Sequence, residues 1–129
     1  MTKHFSIDTP VLYADFDWDA LLSAIATNAI LVAPIPKFPQ VKRDFALLVD
    51  DQVRFADLKQ AAFKTERHLL KEVSLFDVYV GKNLPQGKKS YALSFTLQDQ
   101  NKTLTDKQID KIMGRLKSAF ESEYGATLR

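Results

Sequence analysis

Apolar and polar residues alternate with period two in three stretches of this chain. Over residues 41–49, Phe45, Leu47 and Val49 share one face, while Lys42, Asp44, Ala46 and Leu48 share the other, as a half-buried strand requires. Residues 72–80 alternate likewise, which predicts Phe76, Val78 and Val80 on one side and Leu75, Asp77 and Tyr79 on the other. Residues 90–97 set Tyr91, Leu93, Phe95 and Leu97 against Ser90, Ala92, Ser94 and Thr96. Between these strands the period lengthens. Phe55, Leu58, Ala62, Thr65 (or Glu66) and Leu69 make a helical stripe without a good N-terminal cap. Ile109, Ile112, Met113, Leu116, Phe120 and Tyr124 make a second, opened by a Thr105–Gln108 capping box and closed by Gly125. Residues 81–87, with Asn83 and Pro85 among them, supply turn chemistry, and residues 126–129 a last short strand.

From residue 41 the order is therefore βαββαβ, which predicts an α+β, ferredoxin-like antiparallel sheet with both helices on one face. Strand faces rich in Phe, Leu and Val must turn towards the helices, Phe76, Val78 and Val80 included. The other face stays open and carries Lys42, Asp44, Ala46, Asp77, Tyr79, Ser90, Ala92 and Ser94. That pattern suits an ordinary solvated sheet face. It also suits a platform for single-stranded RNA, on which bases stack against an aromatic ring beside hydrogen-bonding groups and lysines.

Residues 1–40 read as an N-terminal strand–helix arm with a connector, and residues 41–129 as the ferredoxin-like domain. In the arm, residues 11–16 suggest a short strand, and Asp17 caps a helix over residues 18–28 with Trp18, Leu21, Leu22, Ile25 and Ala29 at helical spacing. Pro34, Pro36 and Pro39 then enforce an extended path.

Composition narrows the functional classes. The 129 residues are 46% hydrophobic and 26% charged, ordinary for one globular domain. With 18 Lys and Arg against 16 Asp and Glu, the net charge of +2 does not announce a nucleic-acid binder, so such a role needs local patches. Two exist: Lys37, Lys42 and Arg43, and Lys82, Lys88 and Lys89. Cysteine is absent, which excludes disulfides, thiolate metal sites and cysteine nucleophiles. No signal-peptide core or membrane-spanning run is present, so a cytoplasmic location is expected. His4 and His68 lie far apart without ligand spacing, and no nucleophile pairs with a base, so no catalytic or metal residues are assigned. Gly87-Lys88-Lys89-Ser90 after Gly81 has the wrong spacing for a phosphate loop and joins two strands.

Several strings are more specific than the fold. Residues 37–46 (KFPQVKRDFA), 75–79 (LFDVY), 87–90 (GKKS), 103–106 (TLTD) and 125–129 (GATLR) occur in this order. Together they resemble the C-terminal ferredoxin-fold anticodon-binding domains of bacterial phenylalanyl-tRNA synthetase β subunits, over nearly the whole chain. The resemblance implies a non-catalytic, tRNA-binding module that holds the anticodon stem-loop of tRNA(Phe). It implies a parent α2β2 enzyme that uses ATP and Mg2+, catalyses through its α subunit and works in the cytoplasm. At 129 residues the chain is expected to be a C-terminal piece of a β subunit, with a Met1 foreign to it. The resemblance further implies that Tyr79 stacks on the first anticodon base, that Asp77 contacts that guanine's edge, and that Ser90 and Ala46 lie at the anticodon. Lys37, Lys42, Arg43, Lys82, Lys88 and Lys89 are candidate phosphate contacts. Where the family often has Arg-Arg-Asp-Leu, this chain has Lys42-Arg43-Asp44-Phe45. Lys42 keeps the charge but loses bidentate geometry. The alternative reading is a ferredoxin-like protein-interaction or small-ligand regulatory domain. Asp44, Asp77, Ser90 and Ser94 make its sheet face too polar for pairing.

Overall fold

The computed structural model describes residues 5–7, 9–26, 32 and 35–129. The chain divides into two compact units, residues 1–34 and 35–129. In the first, helix α1 spans Trp18–Ile25 and starts as expected, with the Asp17 carboxylate accepting from the Ala20 amide at 3.0 Å. The expected continuation to residue 28, Ala29 and Pro34 lie outside the described residues. Residues 11–17 form no regular structure, so the strand expected over 11–16 is not made. A strand exists only by pairing, and among the described residues every ladder lies between residues 41 and 128.

The second unit runs β1 (Val41–Asp50), α2 (Phe55–Thr65), β2 (Leu70–Tyr79), β3 (Lys88–Leu97), α3 (Asp106–Tyr124) and β4 (Thr127–Leu128). The sheet order is β2-β3-β1-β4 with every neighbouring pair antiparallel, the ferredoxin-like arrangement expected. Leu47 and Val49 of β1, and Tyr91, Leu93, Phe95 and Leu97 of β3, are buried against Leu58 of α2 and Ile112, Leu116 and Phe120 of α3. Both helices thus cover one face. Among the described residues no helix is long and apolar enough to cross a membrane.

Helix α3 ends where its sequence dictates. Gln108 Oε1 accepts from the Thr105 amide and hydroxyl, both at 3.1 Å, and Gly125 takes a left-handed φ of 58° as its amide closes on Glu121. Helix α2 does have a cap, contrary to expectation. The Asp57 carboxylate accepts from the Arg54 amide and guanidinium, and that guanidinium holds the carboxyl below its ordinary range. The signal was missed because arginine is not an N-cap residue; here the acid one turn in makes both bonds. The α2 stripe also stops early, and Leu69 reaches the core from the loop before β2.

Strand β2 corrects the face assignment. Leu75 pairs with Leu93 and Asp77 with Ala92, so Phe76 is an extra residue opposite no partner. A bulge of this kind resets the alternation. Leu75, expected on the open face, packs on the core, whereas Phe76, expected in it, is 62% exposed. Val78 and Val80 are exposed as well. Beyond the bulge, Asp77 and Tyr79 regain the open face, opposite Ala92 and Ser90.

At the end of α2 the buried Glu66 carboxylate accepts from the His68 and Leu69 amides, both at 3.2 Å, and pairs with Arg115 of α3. Burial alone would raise its pKa, but the Leu69 and His68 amides and the Arg115 guanidinium outweigh burial and hold it below the ordinary value. Glu66→Gln is expected to cost about 1–2 kcal/mol, less than a fully buried pair, because Arg115 keeps half its side chain in water. A carboxyl depressed on folding stabilises fully above the unfolded value, about 4.3, and the contribution drains as pH falls through the folded value. Urea melts should therefore show the parent losing stability more steeply than Glu66→Gln on acidification below about pH 4.3. Equal acid slopes would refute the pair's role.

Candidate nucleic-acid interface

Strand register arranges the open face in rows. Glu72, Thr96 and Lys42 form the first, Ser74, Ser94 and Asp44 the second, and Asp77, Ala92 and Ala46 the third. Tyr79, Ser90 and Leu48 form the fourth, extended by Thr127 of β4. Lys88 and Asp50 close that end and form an ion pair at 2.8 Å. Rows lie about 7 Å apart and strands about 4.8 Å apart. Four of the residues singled out in the sequence, Ala46, Asp77, Tyr79 and Ser90, thus fall on two adjacent rows.

The middle of the third row is shallow, since Ala46 and Ala92 present only methyl groups. Tyr79 borders it, 39% exposed, and Asp77 is exposed beside it. Ser90, on a central strand between Tyr79 and Leu48, is 7% exposed and lies deeper.

A further residue joins them that period-two reading missed. The Arg129 amide donates to the Ala46 carbonyl at 2.9 Å, which sets Arg129 at the β4 end of the third row. Its guanidinium carbon lies 5.7 Å from the centre of the Tyr79 ring. Ring and cation approach from the two outermost strands across the alanines, and only the long-range β1–β4 pairing brings them together. A cation so placed over an exposed ring is attracted by about 0.5–1 kcal/mol.

The six candidate phosphate contacts point different ways. Lys42 and Lys88 lie on the open face by register, at opposite ends. Lys82 is exposed in the loop that follows Tyr79. Lys37 is exposed next to Phe38, whose carbonyl accepts from the Gln98 side chain at 2.7 Å, and so sits at the Lys42 end. Arg43 and Lys89 have the opposite parity. Arg43 reaches Asp106 at the start of α3, 3.8 Å away. Lys89 donates to the Asp51 carbonyl at 2.6 Å and lies 4.8 Å from the Tyr91 ring centre.

An open sheet face with an accessible ring, exposed acid edges and cations at both ends can stack and hydrogen-bond planar bases while its rim neutralises phosphates. The sequence that builds this sheet is shared with known proteins. The family model of the ferredoxin-fold anticodon binding domain matches residues 36–129. Phenylalanine–tRNA ligase β subunits from Bacteroides fragilis and Porphyromonas gingivalis are 55% and 50% identical over 129 residues, the whole of this chain. That of Geobacillus kaustophilus is 48% identical over 103 residues, 80% of this chain. The chain spans 16% of the length of the first two relatives and 13% of the third. The resemblance carried by the sequence strings is borne out, and because the match takes in all four strands and both covering helices, the chain belongs to the ferredoxin-fold anticodon binding domain family.

Proposed function

We propose that this chain is the anticodon-binding part of a phenylalanine–tRNA ligase β subunit, and that it receives the anticodon bases of tRNA(Phe) on the open face of its sheet. The observation that carries the reading is the pair of adjacent rows in which Tyr79, Asp77 and Ser90 surround the trench at Ala46 and Ala92. The Tyr79 ring stacks on the first anticodon base. The Asp77 carboxylate, an acceptor only, suits the N–H groups on a guanine edge. Ser90 and the Ala46 strand contact the bases that follow. Arg129 stands where a base entering over the ring would meet it.

Lys37, Lys42, Lys82 and Lys88 meet phosphates at the rim, while Arg43 and Lys89, engaged on the helix side, contribute less. The same reading gives the parent a ligase α subunit as partner, ATP and Mg2+ as reactants and a cytoplasmic location. Those reactants are assigned to the parent enzyme, and no residue of this chain is given a role in holding them. The charged rows holding Asp44, Asp77 and Lys42 speak against the alternative, a module that pairs through this face.

Titration with an anticodon stem-loop bearing GAA, against one with a scrambled loop, tests the reading. Binding should favour GAA and weaken steeply with salt, each neutralised phosphate adding about 0.7 to the log–log slope on single strands. Lys82→Ala should lower that slope by about 0.7, and Lys89→Ala should leave it unchanged. Equal affinity for both loops would overturn the anticodon assignment.

A further inference from the structure

We propose that Gly81 is a positioning residue for the Tyr79 ring, its missing side chain being the seat in which the ring rests. The inference rests on the reading that Tyr79 receives a base, and it adds what aims the ring. The backbone does not explain a glycine here. Gly87 and Gly125 have positive φ angles of 76° and 58°, whereas Gly81 is not in that left-handed region. Space explains it. A Cβ on Gly81 would stand 2.6 Å from the Tyr79 hydroxyl oxygen, 2.8 Å from Cζ and 3.3 Å from Cε1. All three close contacts belong to this one ring, so the ring lies directly against the glycine backbone.

The wall is firm, because the Gly81 carbonyl accepts from the Leu84 amide at 3.1 Å and closes the turn after β2. The ring is therefore bracketed, with Gly81 against its outer end and the Arg129 guanidinium 5.7 Å from its centre. An alanine at position 81 fits the backbone but not the seated ring. The ring hangs on a side chain with two rotatable bonds, and it is the part that yields. Restoring van der Waals separation takes a shift of roughly 1 Å. A stacking surface moved that far no longer meets a base held by its neighbours on the sheet.

Three variants of this chain test the inference: Gly81→Ala, Tyr79→Ala and the double substitution. Each is measured for thermal unfolding, for affinity towards the GAA anticodon stem-loop, and, in the two chains that keep the tyrosine, for the NMR signals of its ring without RNA. Gly81→Ala should melt with the parent, shift the Tyr79 ring signals, and lose part of the roughly 5- to 150-fold in affinity that removing a stacked ring costs. On the Tyr79→Ala background it should change affinity by less than about twofold, since its effect passes through the ring. Unshifted ring signals with parental affinity in Gly81→Ala would overturn the inference, as would an equal loss on both backgrounds. Parental binding by Tyr79→Ala would sink the base-stacking reading instead, while the ring signals would still report whether Gly81 seats the ring.

Discussion

Phe95→Ala is expected to lower unfolding stability by about 3–5 kcal/mol, the range for deleting a fully buried aromatic side chain. Phe95 is 0% exposed on the central strand β3. Its ring meets Phe45 of β1 edge-on, with centroids 5.4 Å apart, and Phe120 of α3 at 6.0 Å. The side chain thus joins the two central strands to the second covering helix. The cavity left by alanine has walls on three elements that cannot all close in. In urea the midpoint should fall while the slope of free energy against denaturant stays that of the parent, since the same surface is exposed on unfolding. Phe76→Ala is the control. Phe76 is out of the core in the bulge of β2, so its loss should stay within about 0.5 kcal/mol. Comparable destabilisation by both substitutions would place Phe76 in the core and remove the bulge from the account.

That contrast shows where local reading of the chain ends. Strands β1 and β3 follow their alternation because the ladder between them keeps one register from Val41–Leu97 to Asp50–Lys88, and α3 announces both its ends through Thr105, Gln108 and Gly125. Around β2 the sequence alternates just as cleanly, yet the pairing with β3 slips by one residue at Phe76. A slip of this kind is a property of two strands together, and no pattern within one of them records it. Asp77 and Tyr79 were nevertheless placed on the open face, because the residues after the bulge keep the parity their own alternation gives. Leu75, before it, was expected on that face too, and the bulge turns it to the core instead. Arg129 stayed invisible for a related reason: its place beside Ala46 is fixed by a ladder between segments some 80 residues apart in sequence. The side of the sheet that each lysine serves was legible only in part. Lys42 and Lys89 have opposite parity, but the engagement of Lys89 with the Asp51 carbonyl depends on how the chain turns after β1.

Tyr79→Ala is expected to weaken binding of the GAA anticodon stem-loop by roughly 5- to 150-fold, the equivalent of about 1–3 kcal/mol for one stacked base. The fold should not notice. Tyr79 lies outside the buried core cluster, and its ring rests on Gly81 and faces Arg129, neither of which is buried. Removing it opens no cavity between the helices and the sheet, so the melting curve should overlay that of the parent. Tyr79→Phe separates stacking from the hydroxyl: a phenyl ring keeps the π-face, and the affinity should stay within about threefold of the parent. Because the loss belongs to the base and not to the phosphates, the salt slope should be the same in Tyr79→Ala as in the parent, whereas Lys82→Ala moves the slope. Two independent readouts thus divide the face into a stacking centre and an electrostatic rim. If Tyr79→Ala changed the salt slope and left the preference for GAA over a scrambled loop intact, the ring would be part of the rim, and the rows at Ala46 and Ala92 would not be where the anticodon is read.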